Sequence, residues 1–128
     1  MAGSSSITRR TFFRGAPLAA LSLSYPLGVS DNVLAAIARH RHAHEQFAAN
    51  CWRSDEIDPR YASDTPQNNE RIFIAALKAE ARTLNALLSL PVHTQQDSTA
   101  KGKHLLAYLH RNFLEDHHVD RLLRSMIF

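Results

Sequence analysis

The chain has 128 residues, with fifteen Lys/Arg, twelve Asp/Glu and a formal charge of +3 when its eight histidines are neutral, a length that bounds it to one domain. Its single cysteine, Cys51, excludes an internal disulfide and a cysteine-rich zinc site. Three arginines and no acid stand before Asp31, so charges balance from there on, and the basic pI gives no warrant for a nucleic-acid footprint.

The first stretch with a pattern is Ser6-Ile7-Thr8-Arg9-Arg10-Thr11-Phe12-Phe13-Arg14. A hydroxyl residue, paired arginines and two bulky apolar residues read as a twin-arginine export signal, with Thr8, Arg9, Arg10, Phe12 and Phe13 carrying it. Residues 16–27 form a modest apolar region, and Gly28-Val29-Ser30 puts small residues at a cleavage position. A membrane-spanning helix needs ~20 mostly apolar residues, and this region is too short and polar, so no stable membrane span is expected. The expected division is a leader over residues 1–30 and a helical domain over 31–128, placed in the periplasm by the twin-arginine machinery. The alternative is a cytoplasmic protein with a basic N-terminus.

From Asp31 to about Trp52 the spacing predicts a helix capped by Ser30 or Asp31. Its inner stripe is Leu34, Ile37, Arg41, His44, Ala48 and Cys51, widened by Val33 and Phe47. Residues 53–65 are polar and without period, an unusually long loop. Thr65-Pro66 then opens a second helix running to Leu90, ahead of Pro91. Phe73, Leu77, Glu80, Leu84 and Leu87 face inward along it. Arg41 and Glu80 each interrupt an apolar stripe, and an unpaired buried charge is costly, so the two are expected to form a structural ion pair.

Asp97 or Ser98 is expected to cap a third helix to about Phe113, with Leu105, Leu106, Leu109 and Phe113 inside. Gly102 within it suggests a close backbone crossing. A short last helix spans about His118 to Ile127. No run favours strands, so the fold class is all-α, a small antiparallel bundle of three main helices and a short C-terminal one.

Chemistry-bearing residues are few. His40 and His44 stand four apart on one helix, the arrangement used by helical metal sites. Glu115 and His118 make one Glu-x-x-His unit, which di-iron bundles use twice. A transition metal on His40, His44, Glu115 and His118 is therefore the alternative to a cofactor-less protein. The plainer reading makes His44 a packing residue and His40, His42, His117 and His118 solvated ones. Nucleophile elbows, phosphate loops and His-Glu-x-x-His are absent.

The segments Ala35-Ala36-Ile37-Ala38-Arg39-His40-Arg41-His42-Ala43-His44-Glu45-Gln46-Phe47, Ser98 to Leu109 and Leu122-Leu123-Arg124-Ser125 resemble a group of small uncharacterised helical proteins of alphaproteobacteria. These often carry a twin-arginine-like leader, an H-R-x-x-x-x-x-F first helix and a T-x-x-G entry into an L-L-x-Y helix. The chain departs from them at Val92-His93-Thr94-Gln95-Gln96-Asp97-Ser98-Thr99, where the group has a Pro-Pro-Thr-Thr-like connector. The resemblance implies export and a helical fold, and no activity. The leading expectation is a non-enzymatic accessory protein acting through helix-face contacts, with a protein partner or a second copy. The polar loop and the last helix are the expected contact surfaces. A periplasmic metal or cofactor carrier and a small escort subunit of an exported oxidoreductase are the alternatives.

Overall fold

A computed structural model describes residues 25, 27–109, 112 and 114–126. The export-signal residues Thr8, Arg9, Arg10, Phe12 and Phe13 lie outside them. The protein is all-α. Among the described residues there are four α-helices, α1 (Asp31–Asn50), α2 (Pro66–Ser89), α3 (Gln95–Leu109) and α4 (Asp116–Ser125), and no strand.

Local chemistry sets most of the boundaries. Thr65 Oγ1 accepts from the Asn68 amide at 3.1 Å and Pro66 fills the first turn, as the sequence predicts. Thr94, not Asp97 or Ser98, caps α3, accepting from the Asp97 amide at 3.1 Å. The Asp97 carboxylate is thereby free to reach a residue distant in sequence, and it accepts from the Ser30 amide at 2.7 Å and the Ser30 hydroxyl at 2.6 Å. Ser30 occupies the N-cap position of α1 but makes no cap with its own hydroxyl. The start of α1 is therefore fastened to the first turn of α3. Those two Ser30 donors hold the Asp97 carboxyl below its usual range.

The stretch expected to be a loop is built of two 3-10 turns, Cys51–Ser54 and Pro59–Ser63. Arg53 closes it, donating to Asp64 at 2.9 Å and to Asn69 at 3.0 Å. The buried Asn69 amide returns a bond to the Tyr61 carbonyl at 3.0 Å.

Pairings along the helices fix their directions. His40 meets Glu80 and Phe47 meets Phe73, so α1 and α2 run antiparallel. Ser30 meets Asp97, His40 meets His104 and His44 meets Tyr108, so α3 runs parallel to α1. Helix α4 packs on α2. The apolar core gathers Val33, Ala36, Ile37, Leu84, Leu87, Leu88, Ala100, Leu105 and Tyr108, with Tyr25 and Val29 against it.

Two faces differ from the periodic reading. The buried side of α1 runs through Val33, Ala36, Ile37, His40, Ala43 and His44, leaving Leu34 exposed and Arg41 half-buried. Rotating the stripe by about one residue buries an imidazole, which can bond through both nitrogens, and lets the Arg41 guanidinium stay near water. On α3 the inward residues are Asp97, Ala100, Lys101, His104, Leu105, Ala107 and Tyr108, while Leu106 is exposed. The crossing expected at Gly102 is absent: a Cβ there would meet nothing within 4 Å.

Candidate functional site

Three helices bring polar side chains to one point beside the apolar core. Helix α1 supplies His40 and His44, α2 supplies Glu80, and α3 supplies His104 and Tyr108; all five are buried. The spacing of four on α1 and of four on α3 places each pair on one helical face.

Glu80 is the hub. His40 Nε2 lies 3.0 Å from Glu80 Oε2, and His40 Nδ1 lies 2.7 Å from His104 Nε2. The Tyr108 phenol interacts with the same carboxylate, and its ring packs edge-on against His40 and His44. His44 Nδ1 approaches Glu80 Oε2 at 3.7 Å, beyond hydrogen-bond range, and is a buried nitrogen with no partner.

The electrostatics follow from that geometry. Burial pushes the Glu80 carboxyl upward, but His40, His44 and Tyr108 outweigh it and hold the group at about 2. Glu80 is therefore an anion that only accepts, which puts a proton on His40 Nε2. Burial, followed by the charges of His40, Arg41 and His44, lowers His104 to about 3, so its imidazole is neutral. Burial and the Glu80 charge raise the Tyr108 phenol, which remains a donor.

A second buried group, Lys101, sits one turn away from His104 on α3. Its Nζ donates to the Leu88 carbonyl at 3.0 Å, the Leu90 carbonyl at 2.8 Å and the Ser125 hydroxyl at 2.8 Å. The ammonium thus closes the C-terminal end of α2 and joins it to α4. Desolvation lowers Lys101 to about 8.

The residues singled out by sequence fall into separate places. His40 and His44 converge as expected, but His40 is fully buried and not solvated. The structure pairs Glu80 with His40 in place of Arg41, and no Arg41–Glu80 ion pair occurs among the described residues. Glu115 and His118 lie at the start of α4, where the Glu115 amide donates to His118 Nδ1 at 3.1 Å in a reciprocal capping box. That role accounts for the Glu-x-x-His spacing without a metal. Glu115, His117 and His118 do hold ligand atoms within 4.8 Å of one another, at the surface. Sequence reasoning does not single out His104 and Tyr108, although Asp97, Lys101, His104 and Tyr108 recur at spacings of four, three and four.

The cluster links Glu80, His40 and His104 in one chain of close polar contacts, with His44 Nδ1 3.7 Å from the carboxylate. No protein-family model, no curated protein and no solved structure matches this chain.

Proposed function

We propose that this protein is an exported helical accessory protein, a small antiparallel bundle that works through contacts between helix faces and turns over no substrate. The observation that carries the reading is the inverted face of α3. It buries Asp97, Lys101 and His104 and turns Leu106, 64% exposed, and Leu109, 41% exposed, to the outside. Helix α4 adds Val119 and Leu123, and Met126 follows just after it, each more than 40% exposed. Large apolar side chains left exposed at helical spacing mark interaction surfaces.

The occupant proposed is a second copy of the chain. From Asp31 onward the formal charge is zero with histidine neutral, and a surface without net charge favours association of like chains. No described helix is long and apolar enough to cross a membrane. The twin-arginine stretch supports the periplasm as the place of action.

Sedimentation equilibrium of the full chain tests the contact. Wild type is expected to associate with rising concentration, and Leu106→Glu/Leu123→Glu to stay monomeric with unchanged helicity. A wild type that stays monomeric throughout overturns the self-contact.

A further inference from the structure

We infer that His40, His44 and Glu80 form a core binding site for a divalent transition-metal ion, with His104 and Tyr108 as its outer supports. The donor set differs from the sequence expectation. Glu115 and His118 drop out, because they cap α4, and Glu80 enters from the facing helix.

Four observations bear on the site; the first, second and fourth favour it, and the third is a gap that binding must close. First, His44 is 4% exposed and its Nδ1 has no hydrogen-bond partner, although buried polar groups are almost always satisfied. That nitrogen points toward Glu80 Oε2 at 3.7 Å, so the missing partner belongs beside the carboxylate. Second, His40 Nε2 and Glu80 Oε2 are 3.0 Å apart. Two ligands on one tetrahedral ion with bonds near 2.0–2.1 Å stand roughly 3.3 Å apart. Third, the His40 and His44 ring centroids are 6.1 Å apart, about 1 Å wider than two imidazoles on one such ion. His44 is the ring that can close this gap, since nothing anchors its Nδ1.

The fourth observation is the surrounding shell. Metal-bound imidazoles are held through their second nitrogen, and ligating carboxylates are themselves hydrogen-bonded. His104 Nε2 stands 2.7 Å from His40 Nδ1, and the Tyr108 phenol lies against the Glu80 carboxylate and interacts with it. The ion takes the place of the His40 Nε2 proton. The displaced His40 Nε2 proton leaves to solvent, the proton shared with His104 Nε2 moves to His40 Nδ1, and His104 takes a proton from solvent on Nδ1, so both imidazoles stay neutral. Two imidazoles and one carboxylate suit zinc, cobalt(II), nickel or iron(II) over calcium or magnesium.

The test is titration of the chelator-stripped full chain with cobalt(II), read by visible d–d absorption and by Tm. The expected result is one ion per chain, a saturating absorption band and a raised Tm. His44→Ala is expected to weaken cobalt binding more than about 100-fold with helicity retained, and His104→Ala by about 10- to 100-fold. If His44→Ala fails to fold, His44→Gln keeps most of the side-chain volume and is read in the same way. His117→Ala/His118→Ala is expected to bind as wild type. Absence of saturable binding overturns the inference. So does binding that survives loss of His44 and disappears with His117 and His118, which would move the site to the surface of α4.

Discussion

Acid stability probes the buried imidazole of His104. His104 is held neutral in the fold, its pKa lowered from 6.5 to about 3. Below pH 6.5 the unfolded chain takes up a proton there that the folded chain refuses, so stability falls as pH falls toward 3. Each unit of pH in that window costs about 1.4 kcal/mol. At pH 4.5 the loss from His104 alone is about 3 kcal/mol, a large part of the stability of a small domain. Glu80 has the same sign but a lower window. Its folded pKa is about 2 against 4.5, so its contribution fades only below pH 4.5. The interval from pH 6.5 to 4.5 therefore reports His104, which faces His40, Arg41 and His44, together with His118, whose pKa burial also lowers; the difference between wild type and a His104 variant separates the two.

The perturbation is His104→Leu. At pH 7.5 it leaves His40 Nδ1 without its 2.7 Å partner, which costs about 1–3 kcal/mol. It also removes the titration, so the two stability curves should approach one another near pH 5. The assay is urea unfolding followed by circular dichroism at several pH values, with EDTA present to keep metal away. If wild type and variant lose stability with equal slope between pH 6.5 and 4.5, the buried neutral imidazole is not the titrating group and the reasoning fails.

Further substitutions probe other joints. Asp97→Ala removes both Ser30 bonds of its carboxylate and should cost about 2 kcal/mol, seen as a lower urea midpoint. Lys101→Met leaves the Leu88 and Leu90 carbonyls and the Ser125 hydroxyl without its ammonium; a loss of about 2–3 kcal/mol is expected from urea unfolding. Gly102→Ala should raise stability by up to about 1 kcal/mol, because the added methyl meets nothing. A Tm that falls in this variant would show a crossing at that point.

Helices are legible in the sequence because their signals are local. Thr65-Pro66, Pro91 and the apolar spacing of α2 act within a turn or two, and the all-α class follows from them. Glu80 is legible as an inward charge, since it stands in line with Leu84 and Leu87. Its partner is not. His40 and Arg41 are adjacent and project about 100° apart on a helix, so a rotation of one residue exchanges them. Periodicity alone cannot choose between two polar neighbours.

Helix α3 shows the deeper limit. Asp97, Lys101, His104 and Tyr108 repeat as regularly as an apolar stripe, and hydropathy reads such a stripe as facing water. They face inward because Ser30, the α2 carbonyls, His40 and Glu80 satisfy them, and those partners are distant in sequence. Burial of polar groups depends on that satisfaction. The Glu115–His118 unit misleads for the opposite reason. One spacing serves a metal pair and a capping box alike, and only the position at a helix start separates them.

Export is the claim on which the proposed role rests, and it is the one most directly tested. The full chain and its Arg9→Lys/Arg10→Lys variant should be expressed in a bacterium with twin-arginine machinery and fractionated. The expected result is a shortened wild-type form in the periplasm and a full-length variant held in the cytoplasm. Wild type and variant both remaining in the cytoplasm at full length would contradict the account.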